Sequence, residues 1–170
     1  LLGNTYQLQG SGGTIGGASD LTLNGNWNDT GATNLNLSIT NTGNTTLAGN
    51  FTISAAKTIS TIVSTNLTMS GILSGTGTGL TKSGTGTGTL TLSGANTYTG
   101  NTTITNGTLK LGASNVIADT VNVIINAIAG ATATFDLDGH SDTFAALTFG
   151  GTSGTATSTS NLSTGAGTLT

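Results

Sequence analysis

The chain has 170 residues, a mass of 16.5 kDa and a net charge of -3, with 28 Gly, no Pro and no Cys. Its charged residues are three Lys and six Asp, without Arg or Glu, so it has no cationic surface for nucleic-acid phosphates, and no thiol for a disulfide or thiolate zinc site. Thr, Gly, Asn and Ser fill about 100 of the 170 positions, which disfavours a helical bundle because these are poor helix-interior residues. Disorder is the first rival that such a composition raises. The small net charge and the abundance of β-branched Thr oppose it.

In chain order, Leu1 to Gly10 lacks both a basic start and an apolar run, so no signal peptide is read there. Short alternating units follow at Leu21-Thr-Leu23, Leu35-Asn-Leu37, Phe51-Thr-Ile53, Leu67-Thr-Met69, Leu90-Thr-Leu92, Leu109-Lys-Leu111, Phe135-Asp-Leu137 and Leu147-Thr-Phe149. Alternation places the two apolar residues of each unit on one side of a strand and the polar residue on the other. Gly, Ser or Asn closes almost every unit, as turns require. The stretch from Val121 to Ala129 is the longest apolar run, too short and too interrupted by Asn122 and Asn126 to cross a membrane. The chain ends in a strand-like Gly-Thr-Leu-Thr, and both ends read as cut from something longer.

Stepping along Leu21, Leu47, Leu67, Leu90, Leu109, Phe135 and Leu162 gives intervals of 26, 20, 23, 19, 26 and 27 residues. Intervals in the low twenties fit one coil of a parallel β-solenoid. Inward Leu, Ile, Val and Phe would fill a narrow interior, Gly and Asn would turn the corners, and Thr would face outward. The absence of Pro agrees, since nearly every solenoid strand needs its N–H for a ladder. A sandwich or barrel of hairpins is the alternative, supported by Asn24-Gly25 and Asn106-Gly107.

Residues Gly79 to Gly112 carry a Leu-Thr-Lys step at Leu80 to Lys82, a Gly/Thr run, the strand Thr89 to Gly94, an Asn-Thr-Tyr-Thr-Gly corner at Asn96 to Gly100, and a closing strand at Gly107 to Gly112. This stretch closely resembles the passenger-associated β-strand repeat of Gram-negative autotransporters. Residues 133-151, with Phe135 to His140 and Leu147 to Phe149, are similar to the coil that commonly follows it. The resemblance implies a right-handed parallel β-helix, and the unit spacing gives one all-β segment over 1-170 of about seven coils. The family resemblance itself further implies a secreted passenger of a type V secretion protein, extracellular or on the surface of a Gram-negative bacterium. The family's motif residues are structural, so no catalytic role carries over.

Chemistry has few places to reside. Asp136, Asp138, His140 and Asp142 form the one titratable cluster along the chain, and on a strand Asp136 and Asp138 would share a face about 6.6 Å apart. That spacing touches the inverting-glycosidase range, but the chain offers no Arg, and Trp27 lies far away in sequence. As metal ligands, Asp136, Asp138 and Asp142 are a weak candidate only, because their pattern is not an EF-hand loop. His140 reads as a corner residue. The Gly-rich runs Gly75 to Gly79 and Gly84 to Gly88 lack the Gly-Lys-Ser/Thr ending of a phosphate loop and read as turns.

Thr-x-Thr pairs at 85/87, 89/91, 97/99, 103/105, 132/134 and 155/157 invite comparison with ice-binding solenoids. Their uneven spacing argues against all of them stacking on one face. Eight Asn-x-Ser/Thr sequons, among them Asn44, Asn50, Asn101 and Asn106, barely exceed the roughly five or six expected by chance at this composition.

The sequence therefore reads as a structural stalk, non-enzymatic and without a cofactor. It needs neither nucleic acid nor membrane insertion, and neighbouring coils of the same polypeptide are its partners. Host-cell or bacterial surface ligands are the further expectation. An adhesin module for glycans or self-association is the alternative, and a carbohydrate-active enzyme ranks third.

Overall fold

A computed structural model describes residues 6–8, 12–29, 31, 34–53, 58–63, 65–84, 87–151 and 158–170. Among these residues every regular element is a strand. The first level of the stack comprises β1 (Tyr6–Leu8), β2 (Gly12–Ile15) and β3 (Leu21–Leu23). The second adds β4 (Trp27–Asp29), β5 (Leu35–Ile39) and β6 (Thr45–Leu47), and the third β7 (Phe51–Ile53), β8 (Thr58–Val63) and β9 (Asn66–Met69). The fourth holds β10 (Leu73–Ser74), β11 (Gly79–Ser83) and β12 (Thr89–Leu92). Three two-stranded levels follow: β13 (Thr102–Ile104) with β14 (Gly107–Leu111), β15 (Asn122–Ala127) with β16 (Thr132–Asp136), and β17 (Ala146–Gly151) with β18 (Thr159–Ser163).

Strands at the same place in successive levels pair, and every pairing is parallel. The first sheet runs β1-β4-β7-β10, the second β2-β5-β8-β11-β13-β15-β17, and the third β3-β6-β9-β12-β14-β16-β18. This is a β-solenoid, not a set of hairpins. Asn24-Gly25 and Asn106-Gly107 turn corners between faces, and at Gly107 the backbone takes a φ of 73° that glycine adopts without steric cost. The stack closes about five turns, slightly fewer than the seven coils suggested by spacing. Two sheets do hold seven strands, but the first face carries a strand at only four levels.

Alternation builds the interior. Leu35, Leu37 and Ile39 of β5 are buried while Asn36 is exposed, and β12, β14, β15 and β16 repeat the pattern. Leu67, Leu90, Leu109, Phe135 and Leu162 stand in direct register, as the spacing predicts. At the start the spacing slips by two residues, because Leu47 pairs with Leu23 and Met69, not with Leu21 and Leu67. Both choices face inward, so alternation alone cannot distinguish them. On the first face Trp27 stacks between Tyr6 and Phe51, with ring centroids 4.6 and 5.5 Å away.

A glycine column marks the corner from the third sheet to the first. Gly49, Gly71 and Gly94 each lie against the backbone carbonyl of the glycine one level earlier, Gly25, Gly49 and Gly71. Beside them Asn26 accepts from the Asn50 N–H, and Asn50 accepts from the Ile72 N–H, so side-chain oxygens occupy the places between levels.

Candidate functional site

The acidic cluster divides once folded. β16 ends at Asp136, and Asp138 lies in the following turn with a φ of 50°, so the two do not keep strand spacing. Asp136 accepts a hydrogen bond from the Asp138 N–H, while the Lys110 ammonium pairs with Asp138 at 2.8 Å. That hydrogen bond pushes the Lys110 amine above its ordinary value. Asp142 faces the other way and is buried. Its Oδ2 accepts from the N–H groups of Val116 and Ile117 at 2.8 and 3.1 Å, and its Oδ1 from Thr143 at 2.9 Å. Burial raises its carboxyl above the ordinary range, outweighing the N–H bonds that favour the charged form.

The structure thus places Asp136 and Asp138 on the outer surface beside Lys110, and Asp142 in the wall. Among the described residues no three His, Asp or Glu side chains gather as a metal site. Titration with calcium should produce no heat and no shift in melting temperature; saturable heat with a raised melting temperature would contradict this geometry. His140 sits in the turn after Asp138, its N–H donating to the Leu137 carbonyl. Trp27 is only 6% exposed between its two aromatic neighbours, so it offers no platform for a sugar.

Asp142 has a counterpart that sequence reading missed. Asn96, also buried, accepts from the Leu73 N–H through Oδ1 and donates through Nδ2 to the Val116 carbonyl. Beyond β10 the first face therefore continues without a strand, as a chain of contacts running Leu73, Asn96, Val116, Asp142. No local pattern marks Asn96 or Asp142, because these partners lie 20 or more positions away. Tyr98, two residues after Asn96, is fully buried with its hydroxyl 2.5 Å from that of Thr102. Burial drives its phenol far above the ordinary value.

Lys82, unlike Lys110, lies in the interior. Leu80 and Lys82 share the inward side of β11, and Lys82 is fully buried. Its amine donates to the carbonyls of Ser83 and Asn106, both at 3.0 Å. Asn106, one of the sequon residues, is buried and donates from Nδ2 to the Gly84 carbonyl at 2.8 Å. Asn44, Asn50 and Asn101 are exposed.

The Thr-x-Thr pairs do not share one face. Thr89 and Thr91 point outward from the third sheet, Thr103 lies in the second, and Thr97 and Thr99 lie in the crossing after β12. Thr85, Thr155 and Thr157 lie outside the described residues. Single threonines nevertheless align where the pairs do not: Thr22, Thr46, Thr68 and Thr91 occupy one register through four levels, followed by Lys110 and Asp136. Unequal coil lengths are absorbed at the corners, so uneven sequence spacing does not prevent stacking.

A stack of parallel strands with a largely apolar interior and a Thr- and Asn-rich outer surface defines a β-solenoid rod. Residues 80–111, which span β11 to β14, match the family model of the passenger-associated-transport-repeat. The chain is thus a β-solenoid carrying an autotransporter passenger repeat, and the repeat implies a passenger segment. No curated protein and no solved structure matches the chain. Among the described residues no helix is long and apolar enough to cross a membrane.

Proposed function

We propose that the chain is a stiff, non-enzymatic spacer within an autotransporter passenger, displayed outside a Gram-negative cell. The observation that carries this reading is the repeat at 80–111 lying in register within a parallel ladder that continues on both sides of it. Support comes also from the engagement of the acidic oxygens, which serve backbone N–H groups and Lys110. Rigidity follows from the ladder, because each interior level is hydrogen-bonded to the one before and the one after it.

An epitope inserted at the exposed turn Ala129-Gly130, in the full reading frame, tests the display. Antibody should label intact cells. Labelling confined to permeabilised cells would sink the proposal. Adhesion is its finer part, and the outer face of the third sheet is the surface that serves it, with four stacked Thr at successive levels. Thr46→Asp with Thr68→Asp should abolish attachment while leaving display unchanged; attachment equal to the parent's would remove that face from consideration.

A further inference from the structure

Lys82 has a feature that the rod does not require. Its amine is closed off from solvent and finds two acceptors, the carbonyls of Ser83 in its own level and Asn106 in the next. Two acceptors match the two N–H bonds of a neutral amine, whereas an ammonium brings three donors. No carboxylate among the described residues is paired with it. β8 and β13, which flank β11 in the second sheet, contain no titratable residue, nor does β12. In β14 the one titratable residue is Lys110, committed to Asp138 on the outside. The Tyr98 hydroxyl, also buried, is taken by Thr102.

We propose that Lys82 makes the corner between the second and third sheets, at residues 82–84 and 105–108, a pH-sensitive joint that opens locally while the amine is protonated and closes as it loses its proton. Opening returns an ammonium to water and releases the bonds from the Thr105 N–H to the Lys82 carbonyl and from Asn106 Nδ2 to Gly84. Burial lowers the amine from 10.5 to about 8, whereas in the open corner it regains its ordinary value. The closed form therefore binds the proton less tightly than the open form, and closure strengthens between pH 8 and 10.5.

Amide hydrogen exchange on the 170-residue chain, corrected for the intrinsic pH dependence of exchange, tests the joint. The opening constants of the Thr105 and Thr108 amides, which donate to Lys82 and Gly88, should fall roughly 10- to 30-fold from about pH 7 to 9.5. The Thr40 and Thr42 amides, which donate to Ile15 and Gly17 at the equivalent corner of an earlier level, should show no such change. In Lys82→Met the pH response should disappear, and opening at neutral pH should become at least ten-fold rarer, a shift of the size the lost proton linkage predicts. An unchanged pH profile in Lys82→Met would overturn the proposal. Equal pH responses at the two corners in the parent protein would also overturn it, and that comparison requires no variant.

Discussion

Gly71→Ala lowers the stability of the stack by about 3 kcal/mol, the upper part of the range for overpacking a tight site. A Cβ at this position would lie 2.1 Å from the carbonyl oxygen of Gly49, a backbone atom that no side-chain rotation can move aside. The column repeats the constraint, with the Cβ of a substituted Gly49 lying 2.1 Å from the Gly25 oxygen and that of Gly94 2.2 Å from the Gly71 oxygen. Relief would require neighbouring levels to separate beyond their spacing of about 4.8 Å. That motion stretches the bonds from Phe51 N to Ile72 O at 2.8 Å and from Ser70 N to Leu47 O at 3.0 Å. Restricting the unfolded chain would by itself favour alanine by about 0.4–1 kcal/mol, so the sign of the change decides between the two effects. Urea denaturation measures it. A Gly71→Ala midpoint equal to or above the parent's would show that the corner yields at a cost of no more than about 1 kcal/mol, overturning the prediction.

Asp142→Ala costs about 4 kcal/mol, because it strands the buried N–H groups of Val116 and Ile117 at about 1–3 kcal/mol each before relaxation and also releases the part-buried Thr143 N–H. Asp142→Asn loses less. One amide oxygen can still accept from Val116 and Ile117, but an NH2 then faces the Thr143 N–H. The two variants also separate packing from charge. Burial raises the Asp142 carboxyl, so the folded chain holds that proton more tightly than the unfolded chain does. Its contribution to stability is complete below the ordinary carboxylate pKa and is lost as pH rises through the raised value. Thermal unfolding across that interval should show a falling contribution in the parent, absent in Asp142→Asn. If Asp142→Ala melts with the parent at both ends of the interval, the wall does not depend on this carboxylate.

Alternation made the strands legible, while the corners stayed largely hidden. Leu67, Leu90, Leu109, Phe135 and Leu162 announced the third sheet because each is an apolar residue at the same step of a short strand. The same alternation put Lys82 on the side of Leu80, so its burial was written in the sequence. A charged residue is ordinarily assigned to solvent, since burying it is costly. Asn96 and Asp142 were harder to foresee, because each replaces backbone ladder with side-chain atoms from one level away. Hydrogen bonding across more than 20 residues leaves no local pattern to read. The acidic cluster misled for a related reason. Asp136, Asp138 and Asp142 are neighbours in sequence, but the turn at Asp138, with its φ of 50°, sends Asp142 into the wall and leaves the other two outside.

Register in this fold is kept level by level, while the number of residues between levels is not. Leu90 to Leu109 takes 19 residues and Phe135 to Leu162 takes 27, yet both pairs meet in the same column of the same sheet. A corner can therefore gain or lose residues without moving a single inward side chain. Insertions at such places are evolutionarily inexpensive: a lineage can vary the decoration of the rod, even graft a loop or a small domain onto it, while its spine is inherited unchanged.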